Sequence, residues 1–157
     1  MAPHRILLLI LLGAVGVAGG ALLFQFVGGL APCELCLYER WPYYAAIPLA
    51  AAVATPRTAR GDARGAAVLL FAIFAASTVL AFYHVGVEWH WFAGPTACTG
   101  AGGTAKTIDE LRALLMAQQP VRCDQPQFVL FGISLAGFNL LASLALAGLA
   151  WRAWREG

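Results

Sequence analysis

ILLLILLGAVGVAGGALLFQFV, running from Ile6 to Val27, contains no charged residue. Coiled as an α-helix it is long enough to cross the hydrocarbon core of a bilayer, which needs about 20 apolar residues. Gly65 to Gly86 and Gln127 to Trp151 meet the same requirement. Trp41 to Ala54 is too short by itself. It reaches spanning length only if its helix starts near Cys33 and takes in Leu35, Leu37 and Tyr38. Pro42 and Pro48 then lie inside that helix, where neighbouring helices of a membrane bundle can satisfy the freed carbonyls. The expected fold is an all-α membrane protein, a four-transmembrane-helix bundle with spans at about 6–27, 36–54, 65–86 and 127–151.

Composition supports this reading. The 157 residues are 61% hydrophobic and 11% charged, with a mean hydropathy of +0.74, whereas a soluble domain carries about 25% charged residues. The length fits a single membrane domain. A net charge of +2, dispersed along the chain, excludes a nucleic-acid-binding protein.

Basic residues orient the bundle. Arg5 precedes the first span, Arg57, Arg60 and Arg64 crowd the middle loop, and Arg152 and Arg155 follow the last span. By the positive-inside rule these places, and with them both termini, are cytoplasmic. The other two loops, at about 28–35 and 87–126, together with the start of the second span, hold Glu34, Glu39, Glu88, Asp109, Glu110 and Asp124 and face the opposite side. Cys33, Cys36, Cys98 and Cys123 therefore all face one oxidising compartment, where thiols can pair. The rival reading is a cleaved signal peptide with Gly16-Val17-Ala18 as its cleavage site. The apolar run continues to Val27, longer than a signal core needs, which favours a span.

In the first of these loops, Pro32-Cys33-Glu34-Leu35-Cys36 contains a C-x-x-C, a spacing that closes a small disulfide and often lowers the pKa of one thiol. If the segment is helical, Arg40 shares a face with Cys33 and Cys36. Arg40 then either favours the Cys36 thiolate or snorkels to the headgroups and pairs with Glu39 or Glu34.

In the second loop, Cys98 precedes the pliable run Thr99-Gly100-Ala101-Gly102-Gly103. Thr107-Ile108-Asp109-Glu110 is a capping-box pattern leading into Ile108, Leu111, Leu114 and Leu115 on one helical face, so a short amphipathic interfacial helix is expected. A Cys98–Cys123 disulfide would be either an exchange substrate or a stabilising bridge.

No metal is expected, because structural zinc sites use two closely spaced ligand pairs, and Cys98 and Cys123 stand far apart in the chain. His84, beside Tyr83 at the end of the third span, is either a donor to a bound carbonyl compound or an interfacial histidine. Trp41, Trp89, Trp91 and Trp151 are read as interfacial anchors, and Ser134, Asn139 and Ser143 as helix–helix contacts. Exchange between two disulfides needs an electron sink. The chain has no haem-attachment or nucleotide-binding motif, which leaves a lipid-soluble quinone.

Pro32-Cys33-Glu34-Leu35-Cys36-Leu37-Tyr38-Glu39-Arg40 resembles the P-C-x-L-C-x-Y-E-R signature of the disulfide-bond formation protein B (DsbB) family. Four spans, the second cysteine pair and Tyr83-His84 extend the resemblance over nearly the whole chain. It implies a thiol oxidase of the bacterial inner membrane that keeps the periplasm oxidising. In the implied relay a reduced periplasmic DsbA-like protein attacks Cys98–Cys123, those thiols reduce Cys33–Cys36, and that pair reduces ubiquinone, with menaquinone the alternative. By position, Cys36 resembles the cysteine that contacts the quinone, Arg40 its electrostatic partner, Cys98 the site of the mixed disulfide and His84 a quinone-proximal histidine. Two alternatives remain. One is a vitamin-K-epoxide-reductase-like quinone reductase, in which the order of the cysteine pairs would be reversed. The other is a membrane scaffold whose disulfides only fix its outer loops.

Overall fold

The computed structural model describes residues 3–55, 57–95, 107–109, 112 and 121–157. Cys98 and nearly all of the expected interfacial helix lie outside them. Five helices are seen among the described residues: α1 Pro3–Phe26, α2 Glu34–Tyr38, α3 Trp41–Val53, α4 Arg60–Glu88 and α5 Leu135–Glu156. Within them, Pro3–Phe26, Gly61–Glu88 and Leu135–Glu156 are long and apolar enough to cross a membrane.

The second expected span differs from a continuous helix. It is split into α2 and α3, which together extend over about the 20 residues a crossing requires. Pro42 causes the break. Its ring would clash with the carbonyl four residues earlier in an uninterrupted helix, so α2 stops at Tyr38 and α3 restarts with Pro42 in its first turn. Pro48 is accommodated inside α3.

The last expected span also differs. Its helix begins at Leu135, and the apolar residues before it form a two-stranded hairpin, β1 Val129–Leu130 and β2 Ile133–Ser134, in the register Val129↔Ser134 and Leu130↔Ile133. Phe131 and Gly132 have φ of 52° and 80°, the paired left-handed conformations of a two-residue hairpin turn. The chain is thus mostly helical rather than all-α. Ser134 ends the hairpin and caps α5, its Oγ accepting from the Gly137 N–H at 3.1 Å. The same hydroxyl donates to Glu88 at the end of α4.

The helices form a ring in which α1 packs on α3 and α5, and α4 packs on α3 and, most extensively, on α5. The core is built largely from small residues. Ala14, Ala46, Ala50, Ala67, Ala147 and Ala150 are buried, with Leu7, Ile10, Leu70 and Phe74 between them. Alanine at the contacts brings backbones close, the packing device available where lipid removes the hydrophobic drive for helices to associate. Leu12, Val79 and Leu144 point outward, as apolar side chains do when the solvent is lipid.

A polar chain crosses the core. The Tyr43 hydroxyl donates to Asn139 Oδ1 at 2.6 Å and lies 2.9 Å from Ser143 Oγ, which in turn lies 3.0 Å from Ser77 Oγ. It links α3, α4 and α5, so the expectation that Asn139 and Ser143 serve helix contacts agrees with where they sit.

At the α1–α5 contact, a Cβ added to Gly13 would stand 2.9 Å from Leu146 Cδ2. Gly13→Leu is therefore expected to wedge these helices apart at a cost of about 1–3 kcal/mol, read as a lower midpoint of thermal unfolding in detergent. An unchanged midpoint would show that the two helices do not meet there.

Candidate active site

Cys33 is fixed by the start of α2. Its backbone is extended, its Sγ accepts from the Cys36 N–H at 3.2 Å, and it serves as the N-cap. Cys33 is buried and Cys36 half-buried, and both are free thiols. Hydrogen bonding from the Cys36 thiol holds the Cys33 thiol below its ordinary pKa range, aided by the Cys36 N–H and opposed by burial and by the Glu39 and Glu88 carboxylates. Of the two, Cys33 is thus the thiol whose surroundings favour the thiolate, the reactive form.

His84 completes the arrangement from α4. Its Nε2 lies 3.7 Å from Cys33 Sγ, and its Nδ1 lies 2.9 Å from Glu39 Oε1. Both members of the Glu39–His84 pair are buried. An ionised carboxylate only accepts hydrogen bonds, so Nδ1 carries a proton and the ring turns its Nε2 towards Cys33. The result is a carboxylate–imidazole–thiol chain running from the α2–α3 break across to α4. Glu39 entered the sequence reading only as one of two candidate partners for a snorkelling Arg40, and its pairing with His84, 45 positions away, carried no local signal.

The guanidinium of Arg40 is directed at α1, where it donates to Gln25 Oε1 and the Ala21 carbonyl. It borders a cavity of about 490 Å³ that Cys33, Cys36, His84 and Asn139 also line. The size lies within the usual range for small-molecule sites, and most of the wall is apolar, from α1, α5 and the hairpin. One polar atom beside it is unsatisfied: Asn139 Nδ2 is buried without a hydrogen-bond partner.

The second loop reaches the same place. Cys123 is buried in one cluster with Cys33, Leu35 and Val87, against which Cys36 and Tyr83 pack. Cys123 is disulfide-bonded. Its flanks are anchored by the two-pronged Arg122–Asp124 ion pair, at 2.9 and 2.6 Å, and by Gln127 Nε2, which donates to the Ala31 carbonyl of the first loop at 2.8 Å. Trp41, Trp89 and Trp91 are exposed around this end of the bundle.

The structure thus brings together a C-x-x-C at a helix entrance, a third cysteine packed against it and a histidine from the facing helix. The family model described as "Disulfide bond formation protein DsbB" matches residues 3–153. The chain belongs to the DsbB family. It is 35% identical over 69 residues to the disulfide bond formation protein B of Polaromonas naphthalenivorans, an alignment covering 44% of this chain and 41% of that relative. An uncharacterized protein of Rickettsia prowazekii is 25% identical over 128 residues, covering 80% of this chain and 73% of the relative. No solved structure matches. As a DsbB-family member the chain is a membrane oxidoreductase that acts on thiols and forms disulfides.

His84→Ala leaves the Glu39 carboxylate buried without its partner and is expected to lower stability by about 1–3 kcal/mol. It also removes the imidazole nitrogen facing Cys33, so alkylation of Cys33, followed by peptide mass spectrometry, slows. Adding Glu39→Ala to His84→Ala should cost less than the Glu39→Ala change does alone. Equal alkylation rates in native and His84→Ala chains would disconnect His84 from the thiol.

Proposed function

We propose that this protein reoxidises a periplasmic DsbA-like dithiol protein and passes the electrons to ubiquinone, with menaquinone as the alternative acceptor. The observation that carries this reading is the burial of Cys123 against Cys33 beside a mostly apolar cavity that both C-x-x-C thiols line. In this reading α2 and α3 make the fourth crossing of the inner membrane. Both termini are then cytoplasmic, since Arg5, Arg57, Arg64, Arg152 and Arg155 lie at the end opposite the cysteines.

The chemistry follows from the placement of each sulfur. The partner's thiolate attacks Cys98 of a Cys98–Cys123 disulfide, forming a mixed disulfide and releasing Cys123 as a thiolate. With the C-x-x-C oxidised, Cys123 is positioned to attack Cys33, so that a Cys123–Cys33 bond forms, the Cys33–Cys36 bond breaks and Cys36 leaves as the thiolate towards the cavity. The partner's second thiol resolves its own bond to Cys98. Cys98 then attacks Cys123, restoring the loop disulfide and leaving Cys33 and Cys36 as a dithiol. That dithiol would give two electrons and two protons to a quinone held in the cavity as its sulfurs rejoin as a disulfide.

The residues around the cavity suit this ligand. The apolar wall accepts a ring and the start of an isoprenoid tail. Arg40, held by Gln25 and the Ala21 carbonyl, places a fixed cation on the rim, where negative charge is stabilised. His84 Nε2 is placed to take the Cys33 proton as the disulfide closes, and Glu39 stabilises the resulting imidazolium.

Purified protein with a reduced DsbA-like protein is expected to reduce ubiquinone, followed by absorbance. Cys33→Ser and Cys36→Ser should abolish turnover with any thiol donor, whereas Cys98→Ser should block the protein donor more than a small thiol. Absence of turnover by the native chain with both ubiquinone and menaquinone would favour outer-loop disulfides of purely structural role. Arg40→Ala is expected to raise KM for the quinone at least tenfold, and an unchanged KM would remove Arg40 from the site.

A further inference from the structure

The ligand atoms of Cys33, Cys36 and His84 all lie within 4.8 Å of one another. Two sulfurs and one imidazole nitrogen are the donor set of a thiophilic divalent cation such as zinc. Tetrahedral zinc, with bonds of about 2.3 Å to sulfur and 2.0 Å to nitrogen, holds its donor atoms about 3.5–3.8 Å apart. Cys33 Sγ and His84 Nε2, at 3.7 Å, already have that spacing, and the Cys36 side chain closes the triangle with a small movement. His84 has its Nδ1 on the Glu39 carboxylate at 2.9 Å, the outer partner that commonly orients a metal-ligating histidine and turns Nε2 to the ion. Three protein ligands leave a fourth position, which the adjoining cavity can supply with water. No local spacing announces this set, because the third ligand comes from α4, 51 positions from Cys33.

The geometry points to a second state of this centre, in which the reduced Cys33–Cys36 pair and His84 bind one zinc-class cation that locks the pair in its dithiol form. The step involves no electron transfer. Two S–H bonds break, two metal–sulfur bonds form, and two protons leave to solvent. Two thiolates neutralise the dication, which makes its burial tolerable in surroundings of low dielectric. A Cys33–Cys36 disulfide lacks both thiolates, so binding is confined to the reduced state, and a bound cation occupies the sulfurs that must join for reoxidation. The inference depends on the three donor atoms and not on the identity of the electron acceptor.

The test uses the full chain carrying Cys98→Ser and Cys123→Ser, so that only one thiol pair remains. Reduced and metal-free in detergent under anaerobic conditions, it is titrated with cadmium, read by thiolate-to-metal charge-transfer absorbance, and with zinc, read by competition with a chromophoric chelator. The expected result is one ion per chain, loss of binding after the pair is oxidised, and at least tenfold weaker binding in His84→Ala and in Glu39→Gln. His84→Cys, which restores a third soft ligand, should recover the affinity and so separates ligand loss from misfolding. Failure to saturate at one ion per chain, or an affinity indifferent to both His84 substitutions, would overturn the proposal. No quinone enters this assay, so failure of the electron-acceptor reading would leave its outcome unchanged.

Discussion

The buried contact between Glu39 and His84, 2.9 Å long, holds the reactive end of this molecule together. A carboxylate removed from water is stable only when paired, and breaking such a pair is far more costly than the pair is stabilising. The contact therefore fixes the junction of α2 and α3 against α4. Because Glu39 lies in the break that Pro42 imposes, its side chain turns inwards while Arg40, the next residue, reaches to α1. The same break leaves α2 as a separate turn with Cys33 at its start. From one constraint follow the position of the C-x-x-C, the direction of His84 Nε2 and the location of the Arg40 guanidinium.

The rest of the bundle is arranged around that point. Small residues at the helix contacts let α1, α3, α4 and α5 close tightly in the half of the molecule away from the cysteines. At the cysteine end the cavity lies between α1, α5 and the hairpin, which line it together with Cys33, Cys36 and His84. The Tyr43–Ser143–Ser77 chain, with Asn139 at its cavity side, lies between the two regions. Rigid packing on one side and an apolar cleft on the other suit the proposed exchange centre, which would hold sulfur atoms in place while admitting a lipid-soluble molecule.

Much of this was legible in the sequence, where the physics is local. Three uninterrupted apolar runs announced α1, α4 and α5, and the sequence Pro32 to Arg40 announced both the thiol pair and the family. Other features were hidden for identifiable reasons. Val129 to Ile133 reads as one apolar run continuous with the last span, because its turn is Phe131-Gly132 and not the usual asparagine–glycine signal. The break at Glu39 was masked because prolines are tolerated in membrane helices, and only packing decides whether one kinks a helix or restarts it. The Glu39–His84 pair and the approach of Cys123 to Cys33 join segments distant in sequence, which no periodicity encodes. Helical spacing put Arg40 on one face with the cysteines; the helix breaks between them, Arg40 borders the cavity, and its partners on α1 required the tertiary structure.

In the proposed relay, electrons cross between the two cysteine pairs through Cys123 and Cys33. It is tested most directly by leaving only those two cysteines, in the full chain carrying Cys36→Ser and Cys98→Ser, and mapping disulfides after mild oxidation in the membrane. The account predicts a Cys33–Cys123 bond within one chain in most molecules. Recovery of both thiols free, or linked only between chains, would contradict it.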